Sequence, residues 1–146
     1  MSGTKTTNGF SIGKDLSLVL VGPTGAIHLP KITDFDDEPI YETVKSKVLD
    51  GPTRQVSLPD GHNLTIKFDR EDGAVDSLFS GLEAAYWAVG GYMPHFSLYE
   101  YVTERNGSQS TYEFVEVDLQ YKPGSWKAGA PVAGELKGYA RFKRSL

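Results

Sequence analysis

Apolar and polar residues alternate with a period of two through much of this chain, a pattern that predicts β-strands. The alternation is clearest over residues 62–69, where Leu64, Ile66 and Phe68 are separated by polar residues. Such a segment is expected to have one buried and one wet face. Other segments with strand-like patterns are residues 15–21, 26–34, 94–103, 111–121 and 132–144.

Turn signals divide the predicted strands. Leu58-Pro59-Asp60-Gly61 combines proline and glycine at tight-turn positions, so residues 54–58 and 62–69 are expected to form a hairpin around it. Residues 41–53 show no clear periodicity and contain Asp50-Gly51-Pro52, a further strong turn signal.

One amphipathic helix is predicted over residues 74–89, with Asp72 or Asp76 as its cap and Gly90 at its end. Its face opposite the apolar stripe carries small residues, and Trp87 lies off the stripe. The order of strands, one helix and further strands predicts a mainly β fold, an antiparallel sheet or sandwich with the helix packed on one side. The apolar stripe consists of Val75, Leu78, Phe79, Leu82, Tyr86 and Val89.

Composition limits the function. The 146 residues fit one domain, expected over residues 15–146, and the polar residues 1–14 predict a flexible N-terminal arm rather than a secretory signal. A net charge of −4 argues against a protein that grips nucleic acid through its phosphates. The chain has no cysteine, which excludes disulfides and thiol chemistry and fits synthesis in a reducing cytoplasm. No apolar run is long enough to span a membrane.

The search for catalytic or metal-binding motifs finds none. The three histidines lie in separate segments without ligand spacing, and the acids within residues 34–38 lack the spacing and glycine of a calcium loop. Glu113, Glu116 and Asp118 could pair as acid and base, but strand periodicity splits the three between faces unless a bulge intervenes, so a carboxylate dyad is not expected. We therefore predict no metal, no cofactor and no enzymatic activity.

Other features favour assembly. An open antiparallel sheet leaves unpaired edges, and closing several copies into a ring removes them. The basic residues Lys137, Arg141 and Lys143 of the last strand could pair with the acids of residues 34–38 on a neighbour, although a solvated strand face is the more common explanation of such a pattern. Trp87 either covers a core edge or lies in an interface, where tryptophan is enriched.

A series of short motifs follows in fixed order from residue 32 to the C-terminus. With them, the chain resembles the bacteriophage tail tube proteins. The motifs are Ile32-Thr33-Asp34-Phe35, Leu49-Asp50-Gly51 with Arg54, Leu58-Pro59-Asp60-Gly61-His62, Phe68-Asp69-Arg70 ahead of the helix, Gly124-Ser125-Trp126-Lys127, and Arg141-Phe142-Lys143-Arg144.

The resemblance implies a β-sandwich or split antiparallel barrel with one flanking helix. Such subunits join their sheets into rings, usually hexameric, and the rings stack into a tube that delivers genomic double-stranded DNA without binding it specifically. The expected partners are other copies of the chain and further tail proteins, namely sheath, baseplate and terminator, with no membrane. The expected location is the tail of a virion assembled in the host cytoplasm.

The resemblance also assigns roles to residues. Residues 36–53 would form a long loop that reaches the adjacent ring, and the N-terminal arm could also bridge rings. The predicted inter-ring contacts are Asp36, Asp37, Glu38, Tyr41, Lys45, Lys47, Asp50 and Arg54. The predicted contacts between subunits of one ring are Trp87, Lys137, Arg141 and Lys143. The predicted lumen-facing residues are Asn63, Thr65, Glu116 and Asp118.

Two other functions stay open. Trp87, Trp126 and the tyrosines could line the pocket of a small-ligand or carbohydrate-binding β-barrel. A hydrolase whose triad assembles only in three dimensions could use Ser125 with His62 or His95.

Overall fold

The computed structural model describes residues 15–146 except residues 24, 30, 48, 50 and 92 and the side chain of Val89. The predicted arm over residues 1–14 therefore lies outside the described residues. The elements within the described part are β1 (Leu16–Gly22), β2 (Gly25–Leu29), β3 (Ile32–Ser46), β4 (Arg54–Asp69), α1 (Ala74–Val89), β5 (Phe96–Thr103), β6 (Gln109–Lys122), β7 (Ala133–Ala140) and β8 (Phe142–Ser145).

Two antiparallel sheets share the strand β6. Sheet I has the order β2-β1-β5-β6-β8, and sheet II has the order β3-β4-β7-β6. Residues 109–117 of β6 pair with β5, whereas residues 118–122 pair with β7. The mainly β fold with one helix that the sequence predicts is thereby confirmed.

A bulge at Glu116 turns β6 from one sheet into the other. Glu116 has a φ of 52°, in the left-handed backbone region that residues other than glycine rarely adopt. Next to it, the N–H of Arg141 donates to the carbonyl of Val115 over 3.0 Å, at the point where the chain leaves β7 and enters β8. The predicted single strand over residues 132–144 is therefore two strands in different sheets.

The core lies between the inner faces of the two sheets. In β4 the alternation holds as predicted, because Leu64, Ile66 and Phe68 are buried while Asn63 and Lys67 are exposed. The largest fully buried side chains come from both sheets. They are Phe114, Leu18, Leu20, Leu64, Ile66, Leu98, Leu136 and Val117.

The predicted hairpin around residues 58–61 is wrong, since β4 runs through this segment without a break. Gly61 has a φ of 96°, and the pairing of β4 with β3 shifts register between Pro39 and Tyr41, so the segment is a bulge. Pro59 is tolerated there because the pairing of β4 with β7 ends at His62, which leaves Pro59 a partner on only one side.

The predicted loop over residues 36–53 is wrong in its conformation. Residues 36–46 belong to β3, and Ser46 pairs with Arg54, so only residues 47–53 connect the two strands. Beyond the core, residues 41–46 and 54–60 are exposed on both faces. A strand segment without a buried face shows little apolar alternation, which is why the sequence pattern did not reveal residues 41–46 as a strand.

The helix begins and ends where the sequence predicts. Its N-cap residue is Gly73, without a side-chain capping bond, rather than Asp72 or Asp76 as expected; the Asp72 carboxylate accepts a hydrogen bond from the N–H of Ala74 over 2.9 Å. Gly90 closes the helix with a φ of 66°. The first half of the helix packs on the core through Val75, Leu78, Phe79 and Leu82. The second half projects beyond the core and exposes Tyr86 and Trp87.

Alanine substitution at two glycines should change the free energy of unfolding in opposite directions. An added Cβ at Gly61 would overlap the Tyr139 ring and strain a positive φ, whereas one at Gly81, on the exposed side of α1, meets nothing within 4 Å. We expect Gly61→Ala to lower the free energy of unfolding by about 1–3 kcal/mol. Gly81→Ala should raise it by about 0.5–1 kcal/mol.

Urea denaturation of both variants beside the unchanged protein measures the two effects. A Gly61→Ala variant as stable as the unchanged chain would contradict the bulge assignment.

Candidate assembly surfaces

The outer face of sheet II is a polar surface built from rows of side chains on four adjacent strands. Cross-strand pairing fixes each row, since directly opposed residues point to the same face. The row nearest the helix end of β4 is Asp34, Lys67, Glu135 and Lys122, in the order β3, β4, β7, β6. The next two rows are Asp36, Thr65, Lys137 and Gln120, then Glu38, Asn63, Tyr139 and Asp118.

This face contains three of the four residues predicted to face a lumen. Asn63, Thr65 and Asp118 lie on it together, although they come from different strands. Glu116 lies at the corner between the sheets, where its carboxylate accepts a hydrogen bond from Arg141 over 3.0 Å. Arg141 pairs with Glu116 within the subunit and is 68% exposed, so its expected contact with a neighbouring subunit stays a prediction.

Both edges of sheet II are open within the part of the chain that the structure describes. β3 has β4 on one side and no strand on the other, and residues 118–122 of β6 pair only with β7. Because three antiparallel steps separate the two edge strands, β3 and β6 run in opposite directions. Unpaired edges of this length invite another strand.

A cleft of about 630 Å³ lies between the open edge of β6 and the projecting half of α1. Its walls include Trp87, whose surface is 76% exposed, and Tyr86 and Met93, which are also exposed. Trp87, which is predicted to contact a neighbouring subunit, therefore lies beside a sheet edge. The small residues on the other side of α1 are exposed as well.

One hydrogen-bonded group holds α1 over this cleft. The Asp76 carboxylate accepts hydrogen bonds from the Tyr121 hydroxyl over 2.7 Å and from Arg70 Nε over 2.9 Å. These bonds, that of Tyr121 first, hold the pKa of Asp76 below its usual value. Burial, together with the bond to Asp76, raises the pKa of Tyr121 to about 12. The Phe79 ring stacks on Tyr121 with centroids 5.2 Å apart.

The projecting ends of β3 and β4 carry an exposed apolar face. Val44 lies opposite Val56, and Leu58 lies on the same face; each of the three is about half exposed. Tyr41 lies on the other face opposite Pro59 and is 60% exposed. The alternation of Val56 and Leu58 was visible in the sequence, but the partner strand that completes the patch was not.

The residues predicted to contact an adjacent ring divide into three groups. Tyr41, Lys45, Lys47 and Arg54 are exposed on the projecting hairpin. The edge strand β3 carries Asp36 and Glu38 on its outer face, and Asp50 lies outside the described residues. Asp37 faces the interior.

Four ionisable side chains meet between the two sheets. The Lys143 ammonium lies 3.2 Å from the Asp37 carboxylate and 3.4 Å from that of Glu100, and His62 Nδ1 lies 2.7 Å from Asp37. Lys143 also lies 5.1 Å from the centre of the Phe114 ring. Burial raises the pKa of Glu100 against the opposing effect of Lys143.

This cluster corrects two expectations. Lys143 was expected to pair with an acid of a neighbouring subunit and Asp37 to contact an adjacent ring, but the two bond to each other within one molecule. The reason is that β8 belongs to sheet I and turns Lys143 inward, away from the face that carries Lys137. The sequence could not show which side of this strand is buried.

The geometry offers little to the two alternative functions. The guanidinium carbon of Arg70 lies 5.2 Å from the centre of the Trp126 ring. Trp126 does not line the cleft that Trp87 lines. Ser125 lies beside Lys67, while His62 faces the interior. Among the described residues no group of three or more histidines and acids could hold a metal ion, and no helix is long and apolar enough to cross a membrane.

Removal of Lys143 should destabilise the fold far more than removal of its neighbour Arg141. Lys143→Met leaves two carboxylates facing each other without their cation. Removing one partner of a fully buried ion pair lowers the free energy of unfolding by about 3–5 kcal/mol. Because the Lys143 side chain is 26% exposed, we expect a loss of about 2 kcal/mol here. Arg141→Met breaks a pair whose arginine is 68% exposed and should cost less than about 1 kcal/mol.

The pH dependence of unfolding checks the cause. A raised pKa means that folded Glu100 binds its proton more readily than the unfolded chain does, so its ionisation costs stability as the pH rises above 4.5. That cost is larger without Lys143. The difference between Lys143→Met and the unchanged protein should therefore shrink as the pH falls through the carboxylate range, and a constant difference would count against this account.

No protein-family model matches the chain, and no curated protein matches it in sequence. Solved structures do match its fold. A chain in the cryo-EM structure of the anti-feeding prophage cap (AFP tube terminating cap) is 8% identical, with a TM-score of 0.69 over 97% of this chain and 93% of that one.

Two further structures have the same fold. A chain of the sheath/tube terminator of PVC, an extracellular contractile injection system, is 13% identical, with a TM-score of 0.65 over 96% of this chain and 99% of that one. A chain in the virion of a native gene transfer agent particle is 12% identical, with a TM-score of 0.52 over 94% and 99% of the two chains. The chain thus has the fold of structural components of phage-like tails and injection systems.

Proposed function

We propose that this protein is a structural, non-enzymatic subunit of a phage or phage-like tail, and that its copies form rings that stack into a tube. The observation that carries the proposal is the pair of open edges of sheet II. Because these edges lie on opposite sides of one sheet, each copy can pair with two neighbours. Repetition of such a head-to-tail contact closes into a ring.

The number of strands in sheet II supports this arrangement. Sheet II has four antiparallel strands, so its two edge strands, β3 and β6, run in opposite directions. When all copies point the same way along a ring axis, β6 of one copy and β3 of the next are antiparallel. The ladder of backbone hydrogen bonds can then continue from copy to copy without a break.

The cleft beneath α1 supports the same contact. A strand added to residues 118–122 of β6 would lie under the projecting half of the helix, where it would cover Trp87, Tyr86 and Met93. These side chains are exposed in the single chain, and burying large aromatic groups is a main source of interface stability.

In a ring closed through sheet II, its outer face becomes the wall of the lumen. This face mixes acids, lysines and uncharged polar groups, and the chain as a whole has a charge of −4. Such a wall offers phosphates no continuous basic surface to bind. We propose that it lets double-stranded DNA pass, with Asn63, Thr65 and Asp118 among the lining residues.

The projecting hairpin is the proposed contact between rings. It extends beyond the core and carries the apolar face of Val44, Val56 and Leu58. An exposed apolar patch of this kind marks an interaction site. Contacts with other tail proteins, such as sheath, baseplate or terminator, would use the remaining surface, including the exposed side of α1.

The purified full chain should form rings with a central hole, and stacks of such rings at higher concentration, in negative-stain electron microscopy. Monodisperse monomers at all concentrations would contradict the proposal. Rings that never stack would point instead to a protein that caps a tube.

The hairpin can be tested separately from ring formation. The triple variant Val44→Thr, Val56→Thr, Leu58→Thr makes its apolar face polar while keeping strand-forming residues. We expect rings but few or no stacks, with unfolding changed by less than about 0.5 kcal/mol, since these side chains are exposed.

The matched control changes the opposite face of the hairpin through Thr43→Ala, Gln55→Ala and Ser57→Ala, and should stack normally. Tubes of ordinary length from the threonine variant would rule out this face as the stacking contact.

A further inference from the structure

We propose that an ion pair between Lys122 on β6 of one copy and Asp36 on β3 of the next sets the register of neighbouring copies. This inference rests on the proposed ring and names the side chains that align its seams. It concerns the outer face of sheet II, on the opposite side of the sheet from the helix and its cleft.

Lys122 is the basic residue on the open edge of β6. It ends the row Asp34, Lys67, Glu135, Lys122, in which the sign of the charge alternates from strand to strand. Its side chain is exposed and belongs to no ion pair within the described residues. A carboxylate on an added strand would continue the alternation.

The open edge of β3 supplies such carboxylates. Asp34, Asp36 and Glu38 occupy alternate positions of this strand, point to the outer face and are exposed. Successive members lie roughly 6.6 Å apart at 3.3 Å per residue, so they repel one another. None of the three forms an ion pair with the described part of the chain, whereas Asp37, on the other face, has two partners.

The remaining charges on the two edges select one of three registers. In an antiparallel pair, placing Lys122 beside Asp34 also places Asp118 beside Glu38, and placing it beside Glu38 places Asp118 beside Glu42. Each of these brings two like charges together, which destabilises a strand pair. With Lys122 beside Asp36, Asp118 falls beside Ile40 and Gln120 beside Glu38, so no like charges oppose each other along the open edge of residues 118–122.

Charge reversal tests the pair. Lys122→Glu should raise the concentration needed for ring formation by about tenfold or more, because every seam of the ring then carries a repulsion in place of an attraction. Combining it with Asp36→Lys should restore assembly close to the original level, because the pair is rebuilt with its charges exchanged.

Two controls accompany these variants. Arg105→Glu makes the same change of net charge in the exposed turn between β5 and β6, and should leave assembly unchanged. The combination of Lys122→Glu with Glu38→Lys has the same net charge as the rescued variant but should not restore rings. Thermal unfolding of each variant checks that the subunit itself stays folded.

The outcomes separate this inference from the function on which it rests. If Lys122→Glu assembles at the original concentration, or if Asp36→Lys fails to rescue it while the unchanged protein forms rings, the ion pair is overturned and the ring stands. If the unchanged protein forms no rings, both proposals fall.

Discussion

The shared strand β6 constrains the rest of this structure. Residues 109–117 of β6 pair with β5, and past the bulge at Glu116 the strand turns into sheet II, where residues 118–122 pair with β7. Among the described residues, positions 118–122 then have a partner strand on one side only. The open edge of β6 and the cleft beneath α1 both follow from this division of one strand between two sheets.

The two faces of sheet II carry different side chains because one face is buried against sheet I and the other is not. The inner face is packed against sheet I by fully buried side chains such as Ile66, Leu136 and Phe114. The outer face is free to be polar, and its charges are arranged in rows rather than in one basic or acidic field. In the part of the chain that the structure describes, sheet II has a dry inner face, a wet outer face and two open edges, and this is the physical basis of the proposed assembly.

The interior charge cluster has a different role from the charges of the outer face. Lys143 is enclosed by Asp37 and Glu100, so its attraction to them is screened less than that of an exposed pair. It joins β8 of sheet I to β3 of sheet II and therefore contributes to the stability of the subunit. The ion pair of Arg141 with Glu116 is more exposed than that of Lys143 and adds little to the stability of the subunit. Residues that look alike in the sequence thus belong to folding in one case and to the surface in the other.

The sequence by itself determined the elements whose one face is buried. The inner residues of β4 around Ile66 and the helix from Ala74 to Val89 could be predicted, because burial imposes a period of two or of 3.6 on the apolar positions. The extended end of β3 could not, since a strand exposed on both faces carries no such period. Only the tertiary structure decided that Pro59 and Gly61 lie in a bulge, that Lys143 turns inward, and that Asn63 and Asp118 share a face. Each of these depends on which strands become neighbours, and residues far apart in the chain settle that pairing.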